Sequence, residues 1–338
     1  MSGKASSLLV RDIGEQGLLK RLQRFCPPDV VGDDAAVLPA PALGQSLVVT
    51  TDVLVDGVHF SDRTTSPEDV GWRAAAANLS DLAAMGASPL GITVGLSVNG
   101  DVAVTWVEQL YQGLTQCLEQ YNTPIVGGDV CRSPVITLSI TAFGQVFPNR
   151  ILRRCAAQVG DAIVVTGVHG ASRAGLELLI NPEFAQNLSQ AERSLLTQAH
   201  QRPKPRLDVL PILWEMLDSQ LPIPVAGMDS SDGLADAVIQ LCRASGVGAR
   251  IERTSIPLPP VLSQLVSLQT LDWALYGGED FELVLCLPNK LAEALVEQLG
   301  DGAAIIGKIT AEQQVWLTDS IGTYAEEVLT LSSGFQHF

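Results

Sequence analysis

Six aspartates in apolar or glycine-rich surroundings are the residues of this chain that point most strongly to chemistry. They sit at predicted strand ends or helix edges, and they are Asp34, Asp52, Asp81, Asp129, Asp229 and Asp232. Any one of them has an ordinary explanation, because aspartate is common in turns and helix caps. Six together are harder to explain in that way, because burying an unpaired carboxylate is costly.

Asp81 is the most informative of the six. It lies within a predicted helix over residues 66–87, beside apolar residues such as Leu79 and Leu82, and few basic residues are close in sequence. A carboxylate in such a position needs a partner, and a hard divalent cation such as Mg²⁺ suits clustered oxygen ligands. Further oxygen ligands are available near the other aspartates from the hydroxyls of Thr50, Thr51 and Ser231.

A magnesium site built from several carboxylates usually indicates phosphate chemistry. The charge of the chain agrees with this, since 21 Lys and Arg against 37 Asp and Glu give a formal net charge of −16. A chain this acidic repels nucleic acids and anionic membranes, so we expect neither as a partner. It would also repel ATP unless bound metal ions inverted the local field.

Common nucleotide-binding and hydrolase motifs do not account for such a site. The segment "GAAIIGKI" (302–309) comes close to a phosphate-binding loop, but Ile309 cannot bind Mg²⁺ and the interior reads as a buried strand. No convincing GxGxxG follows a predicted strand, no GxSxG occurs, and the four histidines form no HExxH. The sequence therefore predicts a nucleotide site of neither the Walker nor the Rossmann kind.

Two further segments carry polar groups at places where a ligand could bind. In "ALYGGEDFELVL" (274–285), two glycines precede Glu279 directly before a predicted strand. Glycines permit close backbone approach, and the acids could meet a ligand, but a polar hairpin turn is an equally good interpretation. His59 follows a strand in "GVHF", and a single histidine is more often structural than functional.

The elements that must position these residues alternate between strands and helices along the chain. Ser66 is the expected cap of the helix over 66–87, with Pro67 in its first turn, and a strand is predicted over 46–60. A later helix is predicted over 205–217 despite an internal proline.

The chain is longer than a single typical core, and both halves mix strands with helices. The arginine-rich segment 147–160 looks like a junction. The sequence thus indicates two α/β-type domains that meet near residue 150.

The cysteines and the hydropathy pattern indicate a cytoplasmic protein. None of the six cysteines has CxxC or Cys/His metal spacing, and their mostly apolar neighbours predict buried, reduced thiols. No apolar run approaches 18 residues, and the amino terminus has no signal-peptide core.

Six segments, taken in order, resemble the thiamine-monophosphate kinase family of the aminoimidazole-ribonucleotide-synthetase-like superfamily. They are "GDDAAVL", "TTDVLVDGVHF", "NLSDLAAMGASP", "VGGDV", "DSSDGLADA" and "GGEDFEL". Each alone is a weak signal, but their order and spacing are specific, and the resemblance runs from about residue 10 to the "GFQHF" tail.

The resemblance implies an α+β fold in two parts. An α/β-type N-terminal domain (1–148) would bind metal and ATP and mediate dimerisation, and an α+β C-terminal domain (149–338) would pack against it. The N-terminal strands would form a barrel across a homodimer.

The resemblance also implies an activity, the ATP-dependent phosphorylation of thiamine monophosphate to thiamine diphosphate in thiamine diphosphate biosynthesis. The transfer would be direct and in line, with ATP as co-substrate and several Mg²⁺ ions as cofactor. No covalent intermediate is needed, and no nucleophile or general base is named, because a phosphate monoester oxygen is already ionised near neutral pH.

Site residues follow from the resemblance segment by segment. The positions that match metal ligands are Asp34, Thr50, Thr51, Asp52, Asp81, Asp129, Asp229 and Asp232. The positions that match ATP contacts are Tyr111, Gly128, Asp129, Arg154 and Ser231. The positions that face thiamine monophosphate are His59, Glu279 and Phe335. Asp33, beside the ligand Asp34, is expected to be a turn residue or an indirect neighbour of the metal.

Two alternatives remain. The first is another ATP-dependent enzyme of the same superfamily, although Lys4 lacks the neighbouring cysteine expected of a selenophosphate synthetase, and the "GFQHF" ending lacks the cysteine of a hydrogenase-maturation protein. The second is a non-catalytic regulator that binds Mg²⁺ or a nucleotide. Turnover of thiamine monophosphate distinguishes both from the kinase.

Overall fold

The computed structural model describes residues 7–27, 38–184, 186–218, 223–264 and 267–334. The predicted site residues Asp34 and Phe335, and Asp33 beside the first, lie outside these ranges. The chain divides into two compact units, of which unit 1 comprises Met1–Leu82 with Ser88–Val146, and unit 2 comprises Ala83–Ala87 with Phe147–Phe338. None of the helices in the described ranges is long and apolar enough to cross a bilayer.

Unit 1 contains one mixed sheet in its described part. Its strands are β1 Ser46–Val55, β2 Ser88–Val98, β3 Ile125–Arg132 and β4 Thr137–Val146. They lie in the order β1-β4-β2-β3. β4 pairs antiparallel with β1 and β2, and β2 pairs parallel with β3. The helices are α1 Val10–Leu22, α2 Pro67–Ala84, whose last two residues belong to unit 2, and α3 Val104–Glu119.

The two faces of this sheet differ in burial. Residues of β4 alternate between fully buried (Leu138, Ile140, Ala142) and partly exposed, as expected for a strand with one covered face. On the other face, Leu47, Val49 and Val53 of the edge strand β1 are 53%, 53% and 47% exposed. The sheet therefore presents an uncovered face within unit 1 that is apolar along much of its edge strand β1.

Helix α2 begins as the sequence predicts. The Ser66 hydroxyl accepts a hydrogen bond from the backbone N–H of Asp69 at 3.2 Å, and Pro67 is the first helical residue. α2 and α3 cross closely at two glycines. A Cβ on Gly71 would lie 1.9 Å from the carbonyl oxygen of Leu110, and one on Gly113 would lie 1.7 Å from that of Glu68. Only glycine permits this spacing of the two helices.

The described part of unit 2 holds a larger sheet, covered by helices. Its strands are β5 Ala162–Val165, β6 Ala226–Asp229, β7 Gly248–Glu252, β8 Leu283–Leu287, β9 Ala304–Thr310, β10 Val315–Thr318 and β11 Glu327–Val328. They lie in the order β11-β10-β7-β9-β5-β8-β6. The helices are α4 Ala171–Ile180, α5 Gln190–Gln201, α6 Val209–Asp218, α7 Leu234–Ser245, α8 Ser267–Tyr276 and α9 Asn289–Leu299.

The mixed architecture agrees with the predicted α+β class, with several local differences. Residues 304–309 of "GAAIIGKI" lie in β9, a strand paired on both sides, so rejecting the segment as a phosphate loop is confirmed. The strand predicted over 46–60 ends at Val55, because the chain turns back so that His59 N–H bonds the Val55 carbonyl at 2.9 Å. Helix α6 begins at Val209, which puts Pro211 in the first turn, where its missing N–H costs no helical hydrogen bond.

The prediction that the cysteines are buried is wrong for two of them. All six cysteines fall within the described residues and are free thiols, but Cys131 and Cys155 are exposed. Cys131 lies on the edge strand β3, where alternate side chains face outward, so apolar neighbours in sequence did not imply burial.

Candidate functional site

In unit 1, the covered face of the sheet brings Thr50 and Asp81 together. Thr50 lies on β1 and donates its hydroxyl hydrogen to the Asp81 carboxylate on α2. Asp52, two residues along β1, faces the same side as Thr50, because side chains alternate along a strand. Three of the predicted metal-binding residues thus share one side of the sheet.

Thr51 faces the opposite side. Its hydroxyl lies 2.9 Å from that of Thr141 on β4, on the uncovered face. The period of two along a strand explains this, since neighbours in sequence cannot both project from one face. The structure therefore does not bring the Thr51 hydroxyl to Asp81. The Thr51 side chain projects from the uncovered face of the sheet.

Gly128 and Asp129 lie on β3 in parallel register with Val94 and Gly95 of β2. A Cβ on Gly128 would lie 2.1 Å from the Val94 carbonyl oxygen, so this position requires glycine. Asp129 is exposed, and its carboxylate accepts a hydrogen bond from the Val130 N–H at 2.8 Å. Its register with Gly95 places it on the uncovered face, the same side as Thr51.

The two aromatic candidates of unit 1 have different surroundings. The Nδ1 atom of His59 accepts a hydrogen bond from the Val55 N–H at 3.0 Å, so a neutral ring carries its proton on Nε2 as a donor. Arg73 donates to the His59 carbonyl at 3.4 Å. Tyr111 is buried, with its ring 5.6 Å from that of Phe25, and burial raises the pKa of its phenol. Its role toward a nucleotide stays a prediction.

In unit 2, two predicted motifs come into contact. Asp229 ends β6 and is 3% exposed, and Ser231 donates its hydroxyl hydrogen to the Asp229 carboxylate at 3.2 Å. The Ser231 carbonyl accepts the N–H of Glu279 at 2.7 Å. Gly278 has φ +65, and a Cβ there would lie 2.7 Å from the same carbonyl. Close backbone approach by the "GGED" glycines is therefore confirmed.

The alternative interpretation of "GGED" as a hairpin turn is wrong. The segment follows helix α8, which ends at Tyr276, and precedes strand β8, which starts at Leu283. It therefore links a helix to a strand. Asp232, in the other motif, is exposed, and the helix α7 that follows is capped by Gly233.

Arg154 is held within unit 2 by a chain of side-chain hydrogen bonds. Its guanidinium donates to Gln240 at 2.7 Å, and Gln240 donates to Asp236 at 2.7 Å, both on α7. This arrangement presents an exposed cation at a fixed place, which suits the predicted contact with a phosphate group.

A polar network beneath these motifs was missed in the sequence. The Asp280 carboxylate accepts N–H groups from Gly170 at 2.7 Å and Ser172 at 2.9 Å, at the start of helix α4. Burial raises the pKa of Asp280 to about 7, against the effect of those two hydrogen bonds. Glu282 accepts a hydrogen bond from the Thr166 hydroxyl at 2.6 Å and pairs with the Arg206 guanidinium. Burial is also the main cause that raises the pKa of Glu282.

His169 joins this network to the "DSSDG" segment. Its Nδ1 lies 3.1 Å from the Gly167 carbonyl, so Nδ1 carries the proton, and Nε2 accepts the Ser230 hydroxyl hydrogen at 3.1 Å. Burial lowers the pKa of His169 to about 4, so the ring is neutral near pH 7. Its partner Ser230 is 61 residues distant in sequence, and no spacing rule could have connected the two.

The donors available for a metal ion are oxygen atoms. No three His, Cys, Asp or Glu side chains within the described ranges form a group that could hold a metal, and Asp34 lies outside those ranges. What the structure does bring together is a carboxylate with a hydroxyl in each unit, Thr50 with Asp81 and Ser231 with Asp229. Such a donor set fits Mg²⁺ better than a softer metal.

Comparison with known families matches the chain in two parts. The family model described as AIR synthase related protein, N-terminal domain, matches residues 32–146. The model described as AIR synthase related protein, C-terminal domain, matches residues 158–319. The two matches cover most of the chain, and each contains several of the motifs described above.

Individual relatives are similar over nearly their whole length. A thiamine-monophosphate kinase from Synechococcus elongatus is 55% identical over 327 residues, which is 97% of each chain. A crystal structure of thiamine-monophosphate kinase from Stenotrophomonas maltophilia has a TM-score of 0.74 at 33% identity, covering 90% of this chain and 95% of that one. A structure of AaThiL complexed with AMPPCP and TMP has a TM-score of 0.71 at 30% identity, covering 96% and 99%. The chain therefore belongs to the thiamine-monophosphate kinase family, within the AIR synthase related proteins.

Proposed function

We propose that this chain transfers the γ-phosphoryl group of ATP to thiamine monophosphate, giving thiamine diphosphate and ADP. The observation that carries the proposal is 55% identity to a thiamine-monophosphate kinase across 97% of both chains. The complex of a relative with AMPPCP, an ATP analogue, and TMP supports both substrates.

The reaction is a direct in-line displacement. A terminal phosphate oxygen of thiamine monophosphate forms a bond to the γ-phosphorus of ATP, and the bond to the β,γ-bridging oxygen breaks, so that ADP leaves with those electrons. Positioning and charge stabilisation carry most of the catalysis in such transfers. No protein nucleophile or general base takes part, since the attacking oxygen is already ionised.

Magnesium is the cofactor we assign to the carboxylates. In unit 1 the proposed ligands are Thr50, Asp52 and Asp81 on the covered face of the sheet, together with Asp34. Thr51 and Asp129 are also proposed as ligands, but their side chains project from the opposite face and would serve a separate ion. In unit 2 the proposed ligands are Asp229 and Asp232. Bound Mg²⁺ would neutralise phosphate oxygens and so lower the repulsion between two polyanions. The pairing of Thr50 with Asp81 supports this assignment.

The substrate contacts are assigned to the residues that match the family's binding positions. For ATP the proposed contacts are Gly128, Asp129, Tyr111, Arg154 and Ser231, and for thiamine monophosphate they are His59, Glu279 and Phe335. The Arg154 guanidinium would steady phosphate oxygens, and Gln240 holds it for that role. The Glu279 carboxylate would face the cationic thiazolium ring, because opposite charges attract.

A homodimer is proposed through the uncovered face of the unit 1 sheet. Three apolar side chains of the edge strand β1 are about half exposed, at Leu47, Val49 and Val53. A patch of this kind on an edge strand is a common site of association. A second copy that covered the face with its own strands would form a shared barrel. We also propose that the domain that binds metal and ATP spans residues 1–148, with residues 149–338 as the second domain.

Incubation of purified protein with ATP, Mg²⁺ and thiamine monophosphate tests the activity. We expect thiamine diphosphate and ADP in equal amounts, measured by liquid chromatography, with no product when any one of the three is left out. ATP binding without turnover would support a non-catalytic regulator. Consumption of ATP with a different phosphorylated acceptor would support another enzyme of the superfamily.

A further inference from the structure

A buried histidine lies behind the Glu279 side chain in unit 2. The His200 ring, on helix α5, has 4% of its side-chain surface exposed, against 31% for Glu279. The Nδ1 atom of His200 is 3.5 Å from a carboxylate oxygen of Glu279 and 3.1 Å from the Ser172 hydroxyl. The Glu279 carboxylate is therefore in contact with a buried ring and is itself partly exposed to solvent.

The backbone around Glu279 is in an unusual conformation. Glu279 and Phe281 have φ values of +60 and +53, in the left-handed region that side chains rarely adopt. Asp280, between them, bonds the N–H groups of Gly170 and Ser172, as described above. Ser172 thus connects the two interactions, because its N–H bonds Asp280 and its hydroxyl contacts His200. Strained backbone held by several contacts is frequent at functional sites.

We infer that His200 and Ser172 are positioning residues, which hold the partly exposed Glu279 carboxylate in the orientation that faces the thiazolium cation of thiamine monophosphate. The inference rests on the proposed function and deepens it at one subsite. A carboxylate fixed before binding loses less side-chain entropy when the cation arrives, so fixing it raises affinity for that substrate alone.

The inference predicts a selective change in Michaelis constants. His200→Leu removes the contact at Nδ1 while filling the buried space. We expect the KM for thiamine monophosphate to rise about tenfold, because losing a polar contact to a charged group costs roughly that factor. The KM for ATP should stay within about twofold, because Glu279 is assigned no ATP contact.

Two variants test whether the polar atom at the Nδ1 position causes the effect. His200→Asn places an amide N–H close to the Nδ1 position, so it should restore most of the affinity for thiamine monophosphate. Ser172→Ala keeps the fold of α4 and removes only the second contact of the ring, so it should raise the same KM by less than His200→Leu. Leu196→Val, one helical turn earlier in α5 and fully buried, is the matched control for loss of packing.

A double variant tests whether His200 acts through Glu279. Glu279→Gln alone should raise the KM for thiamine monophosphate, and adding His200→Leu should then cause no further rise. A further rise of about tenfold in the double variant would overturn the inference, because the two effects would be independent. Three other results would also overturn the inference. They are equal rises in both Michaelis constants in His200→Leu, unchanged constants in His200→Leu, and failure of His200→Asn to restore affinity for thiamine monophosphate.

These experiments distinguish a failure of this inference from a failure of the proposed kinase activity. If the unmodified protein makes no thiamine diphosphate, the kinase proposal fails. If it does, but Glu279→Gln leaves both constants unchanged, the kinase stands and the Glu279 subsite is wrong. Melting temperatures of all variants, compared with that of Leu196→Val, identify any rise in KM that comes from lost stability.

Discussion

At the residue scale, the Asp81 carboxylate depends on a hydroxyl that lies 31 residues earlier in the chain. Its apolar helical neighbours indicated that it needed a partner, and Thr50 was among the residues predicted to share its metal ion. The network of His169, Asp280 and Glu282 carried no such indication. These residues have long-range partners 61 to 116 residues away, and such contacts exist only once the chain has folded.

Asp81→Asn tests the proposed metal site. The amide keeps the size of the side chain and can still accept the Thr50 hydrogen bond, but it loses the charge that Mg²⁺ requires. We expect kcat/KM to fall at least about 100-fold, with little change in melting temperature. Asp101→Asn is the control, because that side chain is 72% exposed, and it should leave activity unchanged. Full activity of Asp81→Asn with unaltered Mg²⁺ dependence would remove Asp81 from the site.

His169 gives a prediction about acid stability. Its pKa is lowered from 6.5 to about 4 in the folded protein, so between these values only the unfolded state gains a proton. The free energy of unfolding therefore falls as pH drops, by up to roughly 3 kcal/mol from this residue at the acid end. Above pH 6.5 neither state binds the proton, and the contribution is constant.

His169→Asn should reduce this acid sensitivity. Asparagine can still donate to the Gly167 carbonyl but does not titrate. Urea unfolding of both proteins between pH 4 and 6.5 should show a smaller decline for the variant. The raised pKa of Asp280 gives an opposite slope, which is common to both proteins and cancels in the comparison. Equal declines in the two proteins would show that His169 is protonated in the folded state.

At the element scale, short-range sequence patterns predicted where an element begins better than they predicted which elements pack side by side. The start of α2 could be predicted from Ser66 and Pro67, because caps act within one turn. The position of β4 between β1 and β2 could not, because strand order depends on contacts distant in sequence. Helix α5 was missed because its sequence, "QAERSLLTQAHQ", is mostly polar, and α1 because Gly14, at φ +66, interrupts it.

Adjacent glycines in β3 allow a matched test of the β2–β3 pairing. Gly128→Ala would place a Cβ 2.1 Å from the Val94 carbonyl oxygen, which the strands cannot accommodate without moving apart. At Gly127 the nearest atom is a Thr93 methyl at 3.7 Å, an ordinary contact. We expect Gly128→Ala to lower the free energy of unfolding by about 1–3 kcal/mol, and Gly127→Ala to change it far less. Equal effects in thermal unfolding would contradict the assigned register.

At the scale of the whole molecule, two properties constrain the function: the chain divides into two compact units, and its formal net charge is −16. An acidic chain repels ATP unless metal ions offset the charge, so the need for metal ions could be predicted from the sequence alone. The sequence could not show which face of the unit 1 sheet is left uncovered. The alternation along β1 shows which side chains share a face, but which face is covered depends on the helices.

The proposed homodimer predicts that a charge on this face separates the subunits. Val49→Asp would bury an unpaired carboxylate in the interface, at a position that is 53% exposed in the single chain. We expect the molar mass from light scattering to halve at micromolar concentration. Leu43→Asp is the control, because Leu43 is fully exposed outside the sheet, and its mass should match the unmodified protein. An unmodified protein that is already monomeric would contradict the proposal.

The fate of the γ-phosphoryl group tests the central claim most directly. Purified protein is given Mg²⁺, thiamine monophosphate and ATP labelled at the γ-phosphate, and the products are separated. The account predicts that the label enters the terminal phosphate of thiamine diphosphate, with one ADP formed for each labelled product. Label recovered only as inorganic phosphate, or retained in ATP while thiamine monophosphate remains unchanged, would contradict it.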